Sequence, residues 1–262
     1  MSNISPLAYV HPEAKLGANV TVEPFAYIED GVVIGDNCTI KAHASILRGT
    51  TMGSGNFIHQ NTVICATPQD FHYEASNPTR VIIGNDNHIR ENVVIAGSTY
   101  PDKATTIGDD NYLMDQVHIC HDVHIHNHCV VGIGVSVAGN CELHDCSIQS
   151  SGAIIQQGVR IGRCSLVQSG CRVQRDVPPY IIVGGNPGAY HGVNTVILKH
   201  FKTTDRILRH IANTYRLIYT ANFSLEDAVI KIPEQIPMSE EIDHILDFVR
   251  LANSGIVGHM DE

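Results

Sequence analysis

This 262-residue chain lacks three things. Its eight cysteines include no C-x-x-C pair and no compact knuckle. That excludes a structural zinc ribbon and a disulfide framework, and it points to reduced thiols in a cytoplasmic protein. The amino terminus, MSNISPLAYVHPEAK, has no basic stretch leading into an apolar one, and no later segment is apolar for long enough to span a bilayer. Neither a signal peptide nor an integral membrane segment is therefore expected. Positive charge is also short: the formal net charge of -10 argues against a nucleic-acid binder. At this length one large or two unequal domains bury a core without metal or disulfide support.

The cations that are present are bunched. Between Arg160 and Arg216 nine Lys or Arg face two acids, whereas from residue 217 onward two basic residues face nine acids. A basic band on an acidic protein suits an acidic partner.

The dominant pattern is a six-residue repeat. Ile4, Val10, Leu16, Val22, Ile28, Ile34, Ile40, Ile46, Met52, Ile58 and Ile64 are spaced by six, and all are apolar. Chance gives such a run about once in ten thousand trials at this composition. The phase slips by one residue across 65–82, then resumes from Ile83 to Val173 with Pro101 and Gln149 as its two exceptions. Two positions before each repeat residue stands a second, mostly small series that includes Cys38, Cys129, Cys141 and Cys171. Residues two apart share one face of a strand. A unit this short predicts a parallel β-helix of three short strands and eighteen residues per coil, about nine coils in all.

The segments 65–82 and 97–106 interrupt the pattern and are expected to project as loops. After VPPYIIVGGNPGAYHG the repeat stops. Thr203 or Thr204, Ser224 with Asp227, and Ser239 then open helical stretches, the last expected to run to Gly255. Residues 1–189 are thus read as the β-solenoid and 190–262 as an α-helical domain.

Five histidines crowd VHICHDVHIHNHC, residues 117–129. The repeat assigns the inward positions to Val117, Ile119, Val123, Ile125 and Cys129, so no histidine enters the core. Residues eighteen apart stack on one edge, which places His121, Gly139 and Gln157 in a column. A histidine accepts a proton from a hydroxyl near neutral pH, and a glycine lets a backbone N–H approach an oxyanion. Asp122 is positioned to orient the ring, while His124, His126 and His128 read as polar surface.

The repeat, together with QDFHY, NPTR, IGNDNHIREN, HICHD, VAGN, DVPPY and GVN, closely resembles the UDP-N-acetylglucosamine 3-O-acyltransferases of bacterial lipid A synthesis. The resemblance spans essentially the whole chain. It implies a left-handed parallel β-helix, an exception to the right-handed crossover rule, assembled as a homotrimer with sites between subunits. The implied reaction moves an (R)-3-hydroxyacyl chain from acyl carrier protein to the 3-hydroxyl of UDP-GlcNAc, with no cofactor and no metal. His121 resembles the general base, with Asp122 beside it, and Gly139 the oxyanion donor. Asp70, His118 and Gln157 match substrate contacts, joined by Gln69 and His72 in the same loop and by Asn194 and His200 at the start of the tail. The chain departs from the usual family residues at His72, Ala96, Asn140, Gln156, Val196, His200 and Phe201. Acyl carrier protein, being acidic, becomes the expected partner of the Arg160 to Arg216 band.

Two other hexapeptide enzymes are alternatives. The later N-acyltransferase of the same pathway carries an extra N-terminal domain, for which repeats starting at Ile4 leave no room. A carbonic anhydrase-like metalloenzyme needs three histidines in a fixed spacing; His121 and His126 supply one interval, but Asn85 and Cys129 occupy positions where it needs others.

Overall fold

A computed structural model describes residues 2–221, 223–252 and 255–259. Each repeat residue is an inward side chain of a very short strand, as in Thr21–Val22, Tyr27–Ile28 and Val33–Ile34. These strands stack into three sheets of 11, 9 and 8 strands that form the sides of one coil. The register is the eighteen-residue step read from the sequence: Val22 pairs with Ile40, and Ile119 with Val137. Ten parallel strands occupy the longest face, one more level than expected, before Ala189–Val193 turns back antiparallel on Ile181–Gly184.

Two insertions explain the phase. Ile58 pairs with Ile89 and Ile89 with Leu113, steps of 31 and 24 residues. The first insertion adds thirteen residues, two repeats and one more, which slips the phase by one; the second adds six and leaves it unchanged. Pro101 accordingly lies in an exposed loop and holds no strand position. The loops are shorter than the sequence suggested, because strands Val63–Ala66, Val81–Ile83 and Thr105–Ile107 take up their ends.

The core is a ladder of Ile, Val and Leu. Each such side chain contributes roughly 1.5–3 kcal/mol when fully buried. The first coil is the exception: Ile4 is 44% exposed and Leu16 half-buried, because none of the described residues stacks a coil beneath them. Gln149, the polar repeat residue, is fully buried and donates to Ser147 Oγ at 3.0 Å.

Inside one corner the buried amides of Asn56, Asn87 and Asn111 form a second ladder. Asn56 Oδ1 accepts from the backbone and side-chain nitrogens of Asn87 at 3.0 Å each. Asn87 Oδ1 does the same for Asn111, at 2.9 and 3.0 Å. Replacing Asn87 by alanine leaves Asn56 Oδ1 its bond from the residue 87 backbone N–H but takes the acceptor from Asn111 N and a donor from Gly108 O, at ~1–3 kcal/mol for each buried group left unpaired. The expected result is a urea midpoint lowered by several kcal/mol equivalent with an unchanged slope; an unmoved midpoint would show that the ladder adds no stability.

A further series was not anticipated from the sequence. Three positions before the repeat residues the chain takes positive φ: Asn19, Phe25, Gly31, Asn37 and His43 early on, and Asp110, Gln116, Asp122 and His128 later. These are the corners, where the chain turns from one side to the next in the left-handed region that Asn, Asp and Gly tolerate best. The enrichment of Asn, Asp and Gly at that phase was the available signal.

The helical tail comprises α1 (Thr195–His200), α2 (Asp205–Tyr219), α3 (Leu225–Gln235) and α4 (Glu240–Arg250). Thr204 Oγ1 accepts from Ile207 N and Ser224 Oγ from Asp227 N, so both expected caps form. Ser239 makes no such bond and instead donates to Glu241 Oε2 at 2.8 Å. Helix α4 stops at Arg250, not Gly255; of the intervening stretch, residues 253 and 254 lie outside the described ones. The tail is fastened to the coil through Arg160, whose guanidinium pairs with Asp176 at 2.7 Å and lies 4.3 Å over the Phe248 ring. No described helix is long and apolar enough to cross a membrane.

Candidate active site

His121 lies outside the solenoid core, as the repeat requires, yet it is not on open surface: it is 6% exposed and Asp122 is 3% exposed. The cover comes from the two loops that interrupt the repeat. Loop 67–80 brings Asp70 in, and loop 97–104 brings Thr99. Thr99 Oγ1 donates to Asp70 Oδ2 at 3.0 Å, and Thr99 N to Asp122 Oδ2 at 3.2 Å. The loops therefore meet each other and the corner at one buried threonine.

That meeting point orients the imidazole. His121 Nδ1 is 2.9 Å from Asp122 Oδ2 and 3.7 Å from Asp70 Oδ2. A carboxylate only accepts, so Nδ1 donates, and neutral imidazole is left with its lone pair on Nε2. Among the described residues Nε2 has no hydrogen-bond partner. Asp122 is itself a corner residue, φ 57°, and its N–H donates to Thr105 Oγ1 at 2.9 Å. Its Oδ1 is buried without a partner among the described residues. Asp70 is held down at about 2, first by the His72 N–H and then by the His72 and Thr99 side chains, so it stays charged throughout the neutral range. Two carboxylates thus face one nitrogen of the ring and favour the imidazolium once the other nitrogen takes a proton.

Gly139 lies against this ring one coil further on. A Cβ there would sit 2.5 Å from His121 Cε1 and 2.6 Å from Nε2, closer than any real contact. Only glycine lets the ring occupy its place. The Gly139 N–H lies by the Cys120 thiol, where it partly offsets the burial that raises that thiol's pKa, and the Gly139 carbonyl accepts from Gly158 N at 3.0 Å. Gln157 follows on the next coil, exposed. His118 stands on the adjoining face between Val94 and Ser136, half-buried, and its burial lowers its pKa.

The remaining candidates separate into two groups. Gln69 and His72 are exposed on the loop that carries Asp70, with His72 Nδ1 3.0 Å from Asp70 Oδ1. Asn194 and His200 lie beyond the last coil, at the two ends of α1. Asn194 is buried and already engaged: it caps α1 through Ile197 N and donates Nδ2 to Cys164 O at 3.0 Å. His200 is exposed at the end of α1 against Phe201. The residues the sequence reading missed are Thr99 and Thr105, whose only signal was membership of an interrupting loop. The other histidines are paired, not merely solvated: His124 with Thr106, His126 with Glu142 and His128 with Asp110, at 2.8, 3.0 and 2.9 Å. Because His126 turns toward Glu142 and His121 toward two aspartates, the pair does not converge on a common point.

Stacked hexapeptide coils, a left-handed β-helix and an oriented histidine beside a bare glycine define the class: a hexapeptide-repeat acyltransferase. Residues 13–48 match the bacterial transferase hexapeptide description, and residues 176–257 match "Udp N-acetylglucosamine O-acyltransferase; Domain 2". The chain belongs to the acyl-[acyl-carrier-protein]–UDP-N-acetylglucosamine O-acyltransferase family. It is 39% identical to the enzyme of that name from Burkholderia lata, over 98% of this chain and all of that one. With the counterpart from Pseudomonas paraeruginosa it shares 38% identity, over 98% and 99% of the two chains. The crystal structure of LpxA, a UDP-N-acetylglucosamine acyltransferase from Bacteroides fragilis, superposes with a TM-score of 0.94 at 43% identity, covering 97% and 99% of the chains.

Proposed function

We propose that the chain moves an (R)-3-hydroxyacyl group from acyl carrier protein to the 3-hydroxyl of UDP-N-acetylglucosamine, opening lipid A biosynthesis in the cytoplasm. The observation that carries this reading is the His121–Asp122 pair with a free Nε2 packed on Gly139, in a chain of this family. Nε2 takes the proton of the sugar hydroxyl as its oxygen attacks the thioester carbonyl. Asp122 and Asp70 stabilise the imidazolium, and the Gly139 N–H meets the oxyanion. Collapse of the tetrahedral adduct expels the carrier thiolate, which recovers the proton from Nε2. Gln69, Asp70, His72, His118 and Gln157 surround this point as substrate contacts.

A second copy of the chain completes the site in this reading. Asn194 and His200 lie at the ends of α1, beyond the last coil, so in this reading they approach a substrate at His121 only from a neighbouring subunit of a homotrimer. The carrier protein binds the exposed cations of the tail. Arg160 drops out of the expected band because Asp176 neutralises it, but Arg206, Arg209 and Arg216 fall on one side of α2, following exposed Lys199 and Lys202. Reversing two charges, Arg206→Glu with Arg209→Glu, is expected to raise KM for the acyl carrier protein about tenfold, near 1.4 kcal/mol, with kcat unchanged and the effect fading at high salt. A KM that does not move places the carrier elsewhere.

The deciding assay combines purified protein, UDP-N-acetylglucosamine and a panel of 3-hydroxyacyl carrier proteins, with product identified by mass. Formation of the 3-O-acyl sugar nucleotide is expected. If no sugar nucleotide accepts an acyl group from any donor, the proposed reaction is wrong.

A further inference from the structure

Of the eight cysteines, Cys146 and Cys164 alone stand eighteen residues, one coil, apart. Both are corner residues in the left-handed region, φ 58° and 56°. Each binds the preceding coil in the same way, Cys146 N to Asn127 O at 2.9 Å and Cys164 N to Asp145 O at 3.0 Å. Equal backbone conformation on adjacent coils sets their Cα atoms about one strand spacing apart, ~4.8 Å, inside the ~4.4–6.8 Å span that a disulfide bridges. Their Cα–Cβ bonds leave in parallel, so the thiols lie side by side.

Cys146 is the more accessible of the two thiols, 8% exposed against 4% for Cys164, and is therefore assigned as the nucleophile. A hydrogen bond from Cys164 lowers its pKa, with His128 and Arg163 assisting against burial and Asp145. Cys164 is raised, first by that same bond and then by burial. Burial instead pushes Cys129 and Cys141 up to about 12 and Cys65 to about 11. Cys164 also lines a cavity of about 170 Å³ with Arg163, Tyr180, Leu198, Phe201 and His244, large enough to admit a small oxidant.

We propose that Cys146 and Cys164 are a peroxide-reactive pair that closes reversibly into a disulfide between adjacent coils, beneath the helical tail. The Cys146 thiolate attacks one oxygen of hydrogen peroxide, forming a sulfenic acid and hydroxide, which takes up a proton to become water. The Cys164 thiol then attacks the sulfenic sulfur, forming the S–S bond and releasing a second water. Two thiols lose two electrons and two protons, and the peroxide is reduced to two waters. An external thiol reopens the bond by exchange. Cys164 O also holds the amide of Asn194, so the closed bond staples the coil on which the tail begins.

The test treats the whole protein with hydrogen peroxide, blocks remaining thiols by alkylation and maps cross-links by mass spectrometry. One linkage, Cys146–Cys164, is expected, reversed by dithiothreitol and absent from Cys146→Ser and Cys164→Ser. In Cys164→Ser a sulfenic acid on Cys146 is trapped by dimedone, whereas in Cys146→Ser position 164 stays unlabelled. Neither variant changes acyl transfer under reducing conditions, because neither side chain bonds His121, Asp122 or Asp70, and Cys164 holds Asn194 through its backbone carbonyl, which serine retains. Should a serine variant fold poorly, Cys146→Asn suits the same corner conformation and serves instead. Absence of the linkage, or first labelling at Cys164 or Cys120, overturns the proposal.

Discussion

His121→Ala lowers kcat for acyl transfer by ~10²–10⁴, the usual cost of removing a general base, and leaves the coil folded. The solenoid side chains nearest in sequence, Ile119 and Val123, are fully buried and untouched by the change. Binding of UDP-N-acetylglucosamine, measured calorimetrically, is expected to change far less than kcat, because Nε2 acts on the hydroxyl only as it reacts. Because His121 and Asp122 share one hydrogen bond, they act as a unit. Removing both is therefore expected to cost little more in rate than removing His121 alone. Additive losses in the double variant would assign Asp122 a separate role, and an undiminished rate in His121→Ala would remove the proposed mechanism.

Gly139→Ala is expected to lower kcat about a hundredfold without changing the fold, for a reason distinct from loss of a chemical group. The backbone at 139 needs no positive φ, so alanine is conformationally acceptable there and retains its N–H. Its methyl group, however, would fall within 3.0 Å of three atoms of the His121 ring. The ring has little freedom to retreat: Nδ1 is bonded to Asp122, and Asp122 is held by Thr99 and Thr105. A displacement of about 1 Å between reacting groups costs ~10²-fold in rate. The expected signature is a low kcat with an unshifted melting temperature and nearly unchanged KM. Wild-type kcat in Gly139→Ala would mean that this close packing does not position the base.

Most of the fold was legible because each inward position needs only to be apolar, and apolar residues recur at a fixed step. The phase slip at residues 65–82 even encoded the size of the first insertion, to within a multiple of six. The partial exposure of the N-terminal coil was not legible, for a physical reason: the repeat marks which side a residue faces, but not whether another coil lies beneath it. The end of α4 was misplaced because apolar spacing continued past Arg250 without a stop signal. The corner series went unread because Asn, Asp, Gly, His and Cys share a backbone conformation there and no hydropathy.

The site divides along the same line. Sequence alone determined that His121, Gly139 and Gln157 form one column and that no histidine of residues 117–129 enters the core, since both follow from the eighteen-residue step and the alternation of strand side chains. Tertiary structure alone decided that His121 is buried, that Asp70 and Asp122 face the same ring nitrogen, and that Thr99 ties them together. Those contacts join residues from two inserted loops whose paths the repeat does not govern. It also decided that Gly139 is a steric requirement of the ring beside it and that Asn194 caps a helix. Spacing along a periodic chain predicts which residues stack; it carries no information about what the interruptions fold back to cover.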